Sequence, residues 1–325
     1  MNTSIWILAY FCQHYGGRVE IDEQGREHVV TLREAMEREH LHLAWSRDGR
    51  NFEPLNNNNP TWPQQWMRDP FVNRGADGLF HLVATGPRDE DGVQRSCVYA
   101  VSSDLISWNT RSLPLMQTVP EARNVWAPEW FYDAKIEEYF LVWSSSFRDA
   151  GWKESRLWSC RTRDWMTFSP PRVCFEPPYS AIDGTFIEHA GTYFLFHKEE
   201  EFGARKGERR AIRLATSASL DGPWTLVDGP LNEGQIVPII TEGPSILPDP
   251  SGEGWLLLYD FCMGDDYGAS HSRDLLHWQE LPASEVSFPL AARHGSAFRV
   301  SQDEFSVLQK AFPATKSHSH QEDRS

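Results

Sequence analysis

The chain has 325 residues, 40% apolar and 24% charged, so it is long enough for a substantial core and ordinary for a globular protein. A net charge of −15 excludes nucleic acid as the expected partner, because phosphates demand a basic patch. Five cysteines without metal-type spacing, and an N-terminal apolar run without a basic flank or cleavage site, point to reduced thiols in a cytoplasmic protein that does not span a membrane.

In chain order, residues 6–11 form the first short apolar run. A long polar connection, 12–39, follows it; it contains Tyr15-Gly16-Gly17 and a charged stretch over 33–39. This connection reads as a hairpin plus a helical turn, either a wall over a site or a solvated decoration. Similar runs of about six residues recur at 80–85, 139–144, 193–198 and 255–260, each the length of a buried strand. A second element, strand then polar turn then aromatic, closes at Phe52, Trp108, Phe168, Trp224 and Trp278. A third is a polar residue at the head of a strand: Asp69, Glu129, Asp183, Glu242 and His294. Asp69 stands before Pro70, which suits a strand start because proline offers no N–H to a ladder.

Five repeats of about 50–60 residues made of short strands describe four-stranded sheets arranged around an axis. The fold expected is all-β, a single five-bladed β-propeller spanning 1–312. Blades start near residues 69, 129, 183, 242 and 294. The last head lacks a corner and the first corner lacks a head, so residues 5–52 complete the last blade. That joint closes the ring and removes two exposed sheet edges. Residues 313–325 lack periodicity and read as a disordered tail. The connections after each second strand share a rim with the five heads.

Several carboxylates at one mouth suit glycoside hydrolysis. One must stay protonated for the leaving oxygen, another ionised to activate water or attack, and a third can raise the acid's pKa. Asp69, Ile182-Asp183 and Glu242-Gly243-Pro244, together with Trp126-Ala127-Pro128-Glu129 and Arg293-His294-Gly295-Ser296, resemble the segments of glycoside hydrolase family 43, in order and at blade spacing. The resemblance implies an inverting glycosidase acting on terminal α-L-arabinofuranosides or β-D-xylosides of oligosaccharides. Asp69 would be the general base, Glu242 the general acid and Asp183 the modulator of the acid. No cofactor is required, but family members often hold a water or a calcium ion near the axis, where His294 would lie. One departure is Gly184, where many members carry proline. Trp66-Met67-Arg68-Asp69-Pro70 is also similar to a segment of retaining fructan and sucrose hydrolases. The further alternatives are a non-catalytic sugar-binding propeller and a scaffold for protein partners.

The other candidates each carry a plainer alternative. Arg68 pairs with a head carboxylate, or is a strand-edge charge. Trp126 and Trp143 stack on a sugar, or pack in the core. Glu129 touches substrate, or buttresses a blade interface. His197 reads as a satisfied polar side chain at the rim, Asp260 and Asp266 as solvated rim carboxylates. The oligomeric state is not specified by the sequence.

Overall fold

The computed structural model describes residues 5–13, 19–21, 27–29, 39–88, 92–148, 154–201, 209–228, 236–238, 240–262, 264 and 266–313. Five antiparallel four-stranded sheets form a five-bladed propeller. Blade one comprises Arg68–Arg74, Phe80–Thr85, Cys97–Ser102 and Asn109–Leu113. Blade two comprises Trp126–Asp133, Glu138–Ser146, Ser155–Thr162 and Arg172–Phe175, and blade three Ala181–His189, Thr192–Glu199, Ala211–Ser217 and Thr225–Val227. Blade four comprises Thr241–Pro248, Trp255–Phe261, Tyr267–Ser272 and Gln279–Glu280.

Blade five is built from both ends of the chain. Its innermost strand, Ala292–Val300, pairs with Ile5–Cys12, followed outward by His42–Ser46 and Glu53–Pro54. The closing register runs from Ile5 opposite Val300 to Cys12 opposite Ala292. The hairpin Val19–Ile21 with Glu27–Val29 lies within the 12–39 connection. The helical turn read over 33–39 falls mostly, and the tail from 314 wholly, outside the described residues. Among the described residues no helix is long and apolar enough to cross a membrane.

The core consists of five apolar clusters, one between each pair of neighbouring blades. This follows from alternation: each strand buries apolar side chains on both faces, one toward each neighbour. The repeated polar turns are hydrogen-bonded corners. Ser46, Ser102 and Thr162 accept backbone N–H groups two and three residues on, and Asp48, Asp104 and Asp164 accept the next two. The C-terminal helix Gln302–Ala311 was not expected from periodicity. Its signal is a capping box, Ser301 with Glu304, and it seats Phe305 and Leu308 in the cluster between blades five and one.

One feature of the innermost strands positions the site. Each breaks register at its head: between Arg68 and Phe71, Trp126 and Glu129, Ile182 and Thr185, Glu242 and Ser245, and around His294. Each break carries a left-handed residue: Asp69 (φ 51°), Ala127 (φ 44°), Asp183 (φ 56°), Gly243 (φ 59°) and His294 (φ 23°). The five polar heads are therefore not one structural position. Asp69, Asp183 and His294 occupy the left-handed place, Glu242 stands one residue before it, and Glu129 two residues after.

Candidate active site

An extra residue in one strand bends it and re-aims its side chain, and strained residues of this kind gather at functional sites. Here the left-handed heads of blades one, three and five point at one another. His294 Nδ1 lies 3.5 Å from Asp69 Oδ1 and 3.9 Å from Asp183 Oδ2. Asp69 accepts a hydrogen bond from Thr85 Oγ1 at 2.6 Å, and Asp183 accepts the Gly243 N–H at 3.2 Å. The Asp183 side chain is 7% exposed, whereas those of Asp69 and Glu242 are 16% and 20% exposed. Two carboxylates thus meet solvent at the mouth, and a third lies behind them.

Their electrostatics differ. Burial raises Asp183 to about 6, with His294 and Lys198 opposing and Glu242 and Asp69 adding to the rise. Burial would also raise Glu242, but Lys198 and Arg293 overcome it and hold this carboxyl at about 2. Lys198 Nζ donates to Glu242 Oε2 at 2.6 Å, and Arg293 Nη2 donates to Glu242 Oε1. Burial lowers the proton affinity of His294, but the surrounding Asp183, Asp69 and Glu129 outweigh it and raise the imidazole. The raised proton affinities are thus those of Asp183 and His294, while Glu242, expected to carry the proton for the leaving oxygen, is held ionised by its two cations in this state.

The remaining sequence candidates divide. Trp126 is 37% exposed, and its indole N–H donates to Gln94 Oε1 at 2.8 Å, so its ring is fixed at the rim and available to a sugar. Arg68 donates to Gln13 Oε1 at 3.0 Å, rather than to a head carboxylate, and lies 5.1 Å over the Phe11 ring. Trp143 is a correction. It is completely buried in the core between blades one and two, because the alternation of its strand turns it to that interface, so it does not meet a substrate. His197 is buried and bonded to the Tyr179 hydroxyl at 2.9 Å. Asp260 is a second correction: it is not solvated at the rim but completely buried, accepting the His294 N–H at 2.7 Å and lying 3.0 Å from Arg293.

Glu129 is buried at the axis, and burial pushes it to about 8 against a hydrogen bond with Thr185. This environment fits the buttress rather than substrate contact. The folded chain then holds a proton that the unfolded chain releases, so wild-type stability falls as pH rises from about 5 toward 8, by about 1.4 kcal/mol per pH unit for this group. Glu129→Gln removes that loss. Melting curves of both proteins are expected to diverge in the variant's favour between pH 5 and pH 8.

Near His294, where a calcium ion was expected, the imidazole Nδ1 lies 3.5 Å from Asp69 Oδ1 and 3.9 Å from Asp183 Oδ2. Among the described residues no group of three or more His, Cys, Asp or Glu side chains is arranged to hold a metal ion.

Two glycines have steric reasons. A Cβ on Gly184 would lie 2.6 Å from Leu157 Cδ1 of the buried third strand of blade two. The blade interface thus accounts for the glycine after Asp183. A Cβ on Gly243 would lie 2.7 Å from His294 Cγ and 2.8 Å from its Cα, on backbone with φ +59°. Gly243→Ala is expected to cost about 3 kcal/mol by equilibrium denaturation.

Lys198, Arg293, Thr85 and Ser144 also belong to the site, and sequence reasoning assigned none of them a role. Thr85, Ser144, Lys198 and Asp260 stand at or near the upper ends of second strands, each opposite the residue preceding a left-handed head. That recurrence was the available signal.

Comparison with known proteins agrees with this fold. A family model described as "Probable glycosyl hydrolase domain", related to glycoside hydrolase family 43, matches residues 29–306. An α-L-arabinofuranosidase of Bifidobacterium longum subsp. longum is 27% identical over 189 residues, covering 49% of this chain. The match spans only 18% of that relative's length. A thermostable family-43 glycoside hydrolase of solved structure has a TM-score of 0.59 at 11% identity, over 87% of this chain and 99% of its own. An α-L-arabinofuranosidase from Clostridium thermocellum has a TM-score of 0.57 at 12% identity, over 91% of this chain and 93% of its own. At these identities the two structures share the fold.

Proposed function

Because the chain belongs to the family of probable glycosyl hydrolase domains related to glycoside hydrolase family 43, we propose that it is a glycosidase that removes terminal α-L-arabinofuranosyl or β-D-xylosyl units from oligosaccharides with inversion. The observation that carries this is the meeting of Asp69, Asp183 and His294 at one mouth, with Glu242 held beside Asp183 through Gly243. The name of the Bifidobacterium relative supports the arabinofuranoside half of the proposal.

In this mechanism Asp69 takes a proton from a water molecule as the water oxygen attacks the anomeric carbon. The bond from that carbon to the leaving oxygen breaks, and Glu242 gives that oxygen a proton. The products are a free sugar of inverted configuration and an alcohol. The proton on Asp69 returns to solvent, and Glu242 is reprotonated from solvent. Thr85 holds Asp69 in place, and Asp183 is bonded to the backbone beside Glu242. The exposed Trp126 offers a face to the sugar chain. A cytoplasmic location is part of the proposal, supported by five cysteines none of which is in a disulfide.

A panel of aryl glycosides, with the first-formed anomer followed by NMR, tests this. Turnover of an arabinofuranoside or xyloside giving the opposite anomer is expected. Retention would replace the mechanism by double displacement, and saturable binding without cleavage would make the protein a sugar-binding propeller.

A further inference from the structure

The second strands repeat one task around the ring. Thr85 Oγ1 accepts the N–H of Ala127 at 2.8 Å, Ser144 Oγ that of Asp183 at 3.1 Å, and Asp260 Oδ2 that of His294 at 2.7 Å. Each thereby satisfies the buried backbone N–H of the left-handed residue in the next blade. The equivalent place in blade three is Lys198, opposite Ile182. An ammonium has donors only, so it cannot do this. The Gly243 N–H goes instead to Asp183 Oδ2.

Lys198 therefore does not serve the fold as its counterparts do. Its side chain is 2% exposed, and a buried ammonium is costly unless paired. Its Nζ lies 2.6 Å from Glu242 Oε2 and 2.6 Å from Glu200 Oε2. We propose that Lys198 is a positioning residue shared between Glu242 and Glu200, and that its division between them sets how readily Glu242 carries the proton for the leaving group. This rests on Glu242 being the general acid. When substrate reaches the mouth, the ammonium shifts toward Glu200, and Glu242 takes up a proton from solvent.

Among the described residues, the other charged or titratable groups that face this pair come from blades three, four and five. Asp183 faces it from blade three, Asp260 and Cys262 from blade four, and Arg293 and His294 from blade five. Asp69 of blade one acts on the pair through Asp183 and His294. None of these is altered in the test.

The test is the pH dependence of kcat, which reports the groups of the substrate-bound enzyme, for Lys198→Met and Glu200→Gln on a glycoside with an unactivated leaving group. With Glu200 neutral, Lys198 remains wholly on Glu242, and the fall in activity at high pH moves down by about one pH unit. With Lys198 neutral, Glu242 keeps its proton longer, and the fall moves up by about one pH unit. Limbs that stay at the wild-type position, or move the same way in both variants, overturn the proposal; a merely structural lysine would lower the rate without moving the limb. Glu200 lies at the rim, so its variant reports even where Lys198→Met fails to fold. Glu242→Gln separates the two levels. If it loses activity equally on activated and unactivated leaving groups, the acid assignment itself fails, and this proposal with it. If it spares activated leaving groups while both limbs stay fixed, only the role of Lys198 fails.

Discussion

Asp69→Asn is expected to lower turnover of an aryl glycoside by about 10³-fold, with KM and melting temperature little changed. Asparagine keeps the shape of the side chain and can still accept the Thr85 Oγ1 hydrogen bond through its amide oxygen. What it loses is the ability to take a proton from water. The backbone reason for expecting an intact fold is that asparagine, like aspartate, tolerates the left-handed conformation (φ 51°) found here. Alanine at the same position would confuse loss of the base with backbone strain. Steady-state kinetics beside a thermal melt make the measurement. Turnover within about tenfold of wild type would remove Asp69 from the chemistry.

Glu242→Gln is expected to divide substrates by leaving group. An unactivated alkyl or sugar aglycone needs a proton as the bond breaks and should lose about 10²–10⁴-fold, whereas a dinitrophenolate leaves unaided and should lose little. The same variant carries a stability signature. The folded carboxyl, held at about 2 by Lys198 and Arg293, lies below its value of 4.5 in an unfolded chain. Its stabilisation is therefore fully present above about pH 5 and is lost as pH falls toward 2. Glutamine forfeits this stabilisation at neutral pH, because Lys198 and Arg293 each lose one of their two carboxylate partners. Denaturation midpoints of the two proteins should differ most near pH 7 and converge near pH 2.

Trp143 shows where reading along the chain misleads. An aromatic at the end of a second strand has the same local pattern whether it faces the rim or the next blade. Trp143 turned to the interface, while Trp126, at the head of a strand, remained open. Asp260 and Lys198 gave no local sign of burial, since a charged residue at a strand end is ordinarily solvated. Their roles arise from partners far along the chain: Arg293 and His294 for Asp260, and Glu242 for Lys198. The pairing of Arg68 with Gln13 likewise depends on the joint between the chain's two ends.

By itself the sequence determined the repeat, the five blades and the closure of the ring, because strand alternation and corner chemistry are local and recur at a fixed spacing. It also brought Asp69, Asp183, Glu242 and His294 into one list. Only the tertiary structure decided how they are placed. The extra residue at each bulge shifts which side chain faces the axis, so Asp69, Asp183 and His294 share one geometry while Glu129 and Glu242 do not. It also decided which charges meet, since Coulomb energy depends on distance and burial across blades, and neither is written in the spacing of residues along the chain.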